Sequence, residues 1–167
     1  GGTSIKIKNI FFNIPARRKF LKSDNVEMRH IIEEFSRIAL SNPNCKMQLI
    51  HNEKEVFYLE KNNFRQRIVN VIGLKNNEHL VPTKENTDLI KIDGFICKPQ
   101  YAKKTRGEQY IFVNKRFIKN YQIQNAISRA FEGLISEKYY PSYFINLSIN
   151  PEKIDVNIHP TKTEIKF

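Results

Sequence analysis

Cations rather than nucleophiles supply the chemistry that this sequence offers. The run Asp155-Val156-Asn157-Ile158-His159-Pro160-Thr161-Lys162-Thr163-Glu164-Ile165-Lys166-Phe167 holds two strand-like stretches, 156–158 and 164–167, around a polar turn. Pro160 fixes φ and removes a backbone donor, so the chain must leave its sheet there. Lys162 is then expected at a sheet edge on a constrained backbone, as one positive charge suited to a phosphate. The alternative is an ordinary surface turn with a solvated lysine. Arg17, Arg18 and Lys19, followed by Lys22, fall in the first turns of an expected helix. Cations there oppose the helix dipole, so local helix stability does not account for them. Lys115 and Arg116 fall at the tip of an expected hairpin, and Lys103, Lys104 and Arg106 lie in a polar loop expected to be mobile. Such residues contact DNA phosphates without reading bases. The alternative for each group is a solvated face, with arginine paired to acidic neighbours.

Other chemistries are poorly supplied. His30, His51, His79 and His159 have no partner at metal-ligand spacing, so no metal site is expected. His159, Asn157 and Asp155 suit turn formation. No Ser/His/Asp or Cys/His set points to covalent catalysis. Cys45 and Cys97 stand alone, which argues against a disulfide framework and for a reducing compartment. Only Tyr101 and Tyr110 interleave with the loop cations in a way that could stack bases.

The net charge of +11 over 167 residues favours a polyanionic partner without saying whether it is DNA, RNA or a nucleotide. With 40% apolar residues and 12 Phe, the chain can bury a core and is not disordered. No apolar run reaches the length of a membrane span and no signal-peptide pattern is present. The sequence opens on Gly1-Gly2-Thr3 without Met and stops in a strand-like run, so it reads as a fragment of a longer chain.

The elements that must hold these cations can be read in outline. Residues 4–11 suit a strand, and Pro15 the first position of a short helix over 16–21, anchored by Phe20 and Leu21. Ser23 or Asp24 caps a second helix whose stripe is Met28, Ile31, Ile32, Phe35, Ile38 and Ala39, ended by Pro43. Residues 45–50 and 56–59 form a hairpin, and 64–72 a helix closed by Gly73. Residues 89–97 form a strand in which Gly94 marks a bulge or a close backbone approach. Residues 109–113 and 116–118 pair around Asn114-Lys115. A helix over 122–137, a strand over 144–149 and the closing pair of strands complete the chain. Helices and strands mix without βαβ alternation, so the class is α+β.

Four segments together carry a family resemblance: Gly2 to Leu21 with its Asn13-Ile14-Pro15-Ala16-Arg17-Arg18-Lys19-Phe20 core, Gly107 to Arg116, Asp155 to Lys162, and Glu164 to Phe167. In order and spacing they resemble MutL-type DNA mismatch repair proteins over essentially the whole chain. The resemblance implies residues 1–65 as the C-terminal part of an ATPase domain of the gyrase/chaperone/histidine-kinase/MutL class. Residues 66–167 would be a transducer domain. That domain is expected as a mixed or antiparallel sheet with helices on one face, in the manner of a ribosomal protein.

By the same resemblance Lys162 reaches the γ-phosphate of ATP, and Gly2 and Thr3 close the ATPase sheet beside the nucleotide. Arg17, Arg18, Lys19, Lys22, Lys115 and Arg116 are the expected DNA contacts, with Arg116 matching a basic position of the family's groove. ATP and Mg²⁺ belong to the longer protein. Its metal-binding Asn, water-activating Glu and Gly-rich lid lie upstream, so this fragment alone is expected to bind neither and to hydrolyse nothing. Implied partners are DNA, a mismatch-recognition protein and a second copy of the full protein, in a bacterial-type cytoplasm near the nucleoid. Competing readings are the transducer domain of a type II topoisomerase, a ribosomal-protein-like RNA-binding module, and a partner-docking domain.

Overall fold

The computed structural model describes residues 2–73 and 77–153. The chain splits into two compact units, Gly1–Phe35 and Ser36–Phe167.

In the first unit residues 2–8 take neither helix nor strand, so the strand expected over 4–11 does not form. Ile5 and Ile7 are 81% and 78% exposed. A strand needs a neighbour to accept and donate its backbone bonds, and the described residues of this unit provide none. The chain then turns tightly. The Phe12 amide donates to Asn9 O (2.9 Å) and the Ile14 amide to Phe11 O (3.0 Å). Helix α1 is Pro15–Lys19, with the proline where no donor is needed. Helix α2 is Asp24–Ser41, its last six residues belonging to the second unit. The carbonyl of Ser23 accepts from Val26 and Glu27, while the Glu27 carboxylate takes the Lys22 amide at 2.8 Å, so the helix start is closed from both sides. Its expected stripe is rotated. Ile31 and Ile38 are half exposed, and the buried positions are Ser36, Ala39 and Leu40. The sequence holds two overlapping stripes, and packing selects the one that includes Leu40.

In the second unit strands β1 (Met47–His51) and β2 (Lys54–Leu59) form a hairpin. Its two loop residues, Asn52 and Glu53, both have positive φ, as a two-residue turn matched to strand twist requires. Helix α3 (Phe64–Ile72) is capped by Asn63, whose Oδ1 accepts the Gln66 amide at 2.8 Å, and closes on Gly73. A five-stranded sheet follows: β3 (Leu80–Asn86), β4 (Ile90–Cys97), β5 (Gln109–Val113), β6 (Arg116–Ile118) and β7 (Tyr143–Ile149), in the order β3-β4-β7-β5-β6. The β5–β7 pair is parallel and the others are antiparallel, so the sheet is mixed. Strand β3 has no counterpart in the elements expected from the sequence; it carries Pro82, whose missing donor is tolerated at a sheet edge. Helix α4 (Tyr121–Ala130) is shorter than the expected 122–137. The chain turns after it, with Gly133 at φ 75, a conformation cheap only for glycine.

The α+β class holds, but helices cover both faces of the sheet, not one. Tyr110, Phe112 and Phe144 pack with Ile68 and Val69 of α3 and with Leu40. Ile111, Val113, Ile118, Tyr143 and Ile145 pack on the other face, with Ile123 and Ile127 of α4 against them. The cause is visible in β5 and β7, which are apolar on successive residues and so need cover on both sides. At Gly94 a Cβ would sit 2.2 Å from Phe144 O and 2.9 Å from the Ile145 Cα. The close approach expected there is real.

One buried charge organises the first hairpin. Arg67 is fully buried. Its Nη2 donates to the carbonyls of Pro43 (2.8 Å), Cys45 (2.6 Å) and Glu60 (3.1 Å), which flank the open end of β1–β2. Burial lowers its pKa from the usual arginine value.

Candidate nucleic-acid interface

Strand β5 delivers the chain to a sharp turn. Asn114 (φ 48) and Lys115 (φ 68) are both left-handed, and Arg116 starts β6. Asparagine tolerates that region because its side chain bonds locally. Here the bonds go to β7. The Asn114 amide donates to Leu147 O (2.9 Å), its Nδ2 donates to Ile149 O (2.9 Å), and its Oδ1 accepts the Ile149 amide (3.1 Å). Val113 and Ile118 are buried beneath the tip, while Lys115 and Arg116 are exposed. Two cations therefore project from a fixed base, the geometry a phosphate contact needs.

The loop around residues 98–107 is not the mobile extension its composition implied. Lys103 exchanges backbone hydrogen bonds with Tyr140 (2.9 and 2.7 Å), and its ammonium lies 3.3 Å from the Glu108 carboxylate. Ser142 donates to the same carboxylate at 2.8 Å. The Arg106 guanidinium stacks 4.7 Å over the Tyr140 ring. Lys103 and Arg106 thus close the loop on the strand entering β7. Tyr110 is not available as a base platform. Tyr110 is in the core beside Phe112, Phe117 and Phe144, and Tyr101 stacks on His79 at 3.3 Å. A cleft of about 450 Å³ lies beside α4, lined by Arg106, Tyr121, Glu132, Glu137, Tyr139 and Tyr140 among others. Its mixed charge suits a phosphate backbone poorly.

In the first unit Arg17, Arg18, Lys19 and Lys22 are exposed, so all can meet a polyanion. The dipole argument reverses for the first three. Helix α1 has five residues, and these cations sit in its last turn beside the terminal carbonyls, where positive charge is favourable. Phe20 and Leu21 do not anchor the helix, being 81% and 44% exposed. Gly2 and Thr3 are exposed in the unassigned stretch. The candidates thus fall into two groups, one in each unit, and Lys162 with its whole motif lies outside the described residues.

Sequence reasoning passed over two residues. Arg67 had a signal: Phe64, Arg67, Ile68, Val71 and Ile72 follow one helical stripe, so an arginine occupies an apolar position. Asn114 was read only as a turn former, and nothing local announces its long-range partner.

Two buried acids give the second unit a pH signature. Burial pushes the Cys97 thiol up to about 11 and the Tyr143 phenol up to about 12. Both are neutral in the fold and ionise more readily when unfolded. Stability is therefore intact below about pH 8.5 and falls as pH rises through about 11–12. The urea midpoint is expected to drop steadily between pH 9 and 11; a flat profile would contradict this burial. Among the described residues no helix is long and apolar enough to cross a membrane, and no three His, Cys, Asp or Glu gather as metal ligands.

A family model described as DNA mismatch repair protein, C-terminal domain, matches residues 68–167. A DNA mismatch repair protein MutL of Christiangramia forsetii is 60% identical over 166 residues, 99% of this chain and 27% of that protein. The chain belongs to the MutL family of DNA mismatch repair proteins. MutL of Flavobacterium psychrophilum is 58% identical over the same share of both chains. The chain thus spans about a quarter of the length of these curated relatives. The match favours mismatch repair over the topoisomerase and ribosomal-type readings.

Solved structures agree on the fold. The N-terminal domain of a DNA repair protein superposes with a TM-score of 0.78 at 21% identity, covering 93% of this chain and 53% of that one. The Aquifex aeolicus MutL ATPase domain complexed with ADP gives 0.66 at 23% identity, covering 87% and 52%.

Proposed function

We propose that this chain is the part of a MutL-type protein that couples ATP binding and hydrolysis to DNA contact. Membership in the family places it in mismatch repair. The observation that carries the DNA side is the pair Lys115–Arg116, exposed on a turn that Asn114 fastens to β7. Arg17, Arg18, Lys19 and Lys22 add a second basic group. Lys162 supplies one positive charge to the terminal phosphate of ATP. Residues 1–65 complete an ATPase domain and 66–167 form the transducer. The exposure of Ile5, Ile7, Phe12 and Phe20 supports the first assignment, since such apolar residues are covered in a larger domain.

ATP and Mg²⁺ serve the longer protein. Phosphoryl transfer needs water, metal and phosphate positioned together, and the chain alone is expected to release no phosphate from ATP. A mismatch-recognition protein, a second full-length copy and a cytoplasmic, nucleoid-associated setting complete the reading.

The DNA assignment is tested by salt. With about five phosphates neutralised, the logarithm of duplex affinity falls against the logarithm of salt with a slope near −4.5, with little sequence preference. Replacing both Lys115 and Arg116 by alanine should reduce that slope by about two. Salt-resistant binding, strong sequence selectivity, or an unchanged slope in the double variant would overturn the assignment. Tighter binding to structured RNA than to duplex DNA would favour the RNA-module alternative.

A further inference from the structure

We infer that Asn114 is the joint through which DNA at the Lys115–Arg116 tip is felt by the chain leaving β7. The inference rests on the coupling reading above and names a residue that carries the coupling.

The ladder shows why this residue stands apart. Parallel pairing of β5 with β7 ends at Val113 opposite Leu147. Beyond that point β5 turns away, yet the pairing does not stop. The Asn114 side chain acts as one more rung, giving its N–H to Ile149 O and receiving the Ile149 N–H, across 35 positions of sequence. On the other side Ile149 faces Ile90 of β4. The last residue of β7 is therefore held between a neighbouring strand and one amide group.

Both ends of this link lead to charged chemistry. Toward the tip, Asn114 precedes Lys115, and the two share one left-handed turn, so a shift of the cations moves the amide with them. The tip's outer support, β6, has only three residues and lies at the sheet edge. Away from the tip, Ile149 runs into Asn150, whose Oδ1 accepts the Glu152 amide at 3.1 Å, and into the short turn Pro151–Lys153. Lys162 lies 13 residues beyond Ile149 in sequence. A hydrogen-bonded rung is either made or broken, the kind of discrete element that can bias two sites. Val113 and Leu147, by contrast, are fixed in a packed core, and the backbone bond from Asn114 to Leu147 O does not depend on the side chain, so the bonds to Ile149 are the part a substitution can remove.

A turn former and a joint make different demands at position 114. Glycine adopts positive φ at least as readily as asparagine but has no side-chain amide. Asn114→Gly therefore keeps the turn and removes the rung. The test uses the full protein that carries this chain. Duplex-DNA affinity is measured with and without a non-hydrolysable ATP analogue, and analogue affinity with and without DNA. By reciprocity the two ratios are one number.

In Asn114→Gly that ratio is expected to move at least threefold toward 1. Analogue affinity without DNA should change less than twofold. A variant that keeps the parent's ratio would overturn the joint and leave coupling intact by another route. Equal loss of DNA binding with and without analogue would also overturn it, showing that Asn114 only shapes the tip. A parent ratio of 1 would overturn the coupling reading itself, and the joint with it. The Lys115→Ala/Arg116→Ala variant should lose DNA affinity; unchanged affinity would remove the tip as the DNA contact.

Discussion

Gly94→Ala is expected to lower the stability of the second unit by more than about 3 kcal/mol, with a melting temperature about 10 °C lower. The argument is geometric. The added methyl group would lie 2.2 Å from the backbone oxygen of Phe144 and 2.9 Å from the Cα of Ile145. Neither atom belongs to a flexible side chain, so relief requires β4 and β7 to separate. Those strands are paired over seven residues at the middle of the sheet, with buried apolar clusters on both faces. Gly107→Ala is the matched control, since its Cβ would meet nothing nearer than Thr105 Oγ1 at 4.0 Å. Thermal unfolding of the two variants side by side should separate them clearly. A Gly94→Ala protein melting within 2 °C of the parent would mean that β4 and β7 do not approach as described.

Gly94 also shows what was legible in the sequence. A glycine inside a β-branched run signals a close backbone approach, and the sheet supplies the approaching strand. Asn114-Lys115 between two apolar runs predicted its hairpin, and Pro15 and Gly73 marked the helix boundaries they occupy. These signals are local, and so they survive without knowledge of the fold. What failed was non-local. Residues 4–8 carry strand-like alternation, but a strand exists only beside a partner. Strand β3 carries a proline that only an edge position permits, and edge status is a property of the whole sheet. Tyr110 looked like a candidate for stacking bases because it follows a basic loop, yet it is held in a cluster of four aromatic rings. The cations of α1 were misread for a different reason. The helix is so short that its start and end coincide within one turn. Lys103 and Arg106 were legible as charges but not as fastenings, because Glu108, Ser142 and Tyr140 come from different parts of the sequence.

Lys162, which we propose contacts the terminal phosphate of ATP, carries the second large effect. Lysine delivers a compact charge on a flexible stem, and a cation aimed at charge developing on a transferred phosphoryl group contributes far more in a water-poor site than in solvent. Methionine has similar length and no charge, so Lys162→Met removes the charge and keeps most of the volume. In the full protein that carries this chain, we expect hydrolysis to fall about 100-fold. Duplex binding through Lys115 and Arg116 in the absence of nucleotide should change little, because those cations stand on the β5–β6 turn and not on the segment that holds Lys162. The most direct measurement is therefore steady-state phosphate release from ATP by the parent and Lys162→Met proteins at equal concentration. Loss of about two orders of magnitude in the variant is the predicted result. Rates within twofold of one another would contradict the assignment of Lys162 to the nucleotide, and with it the coupling of ATP to DNA through this chain.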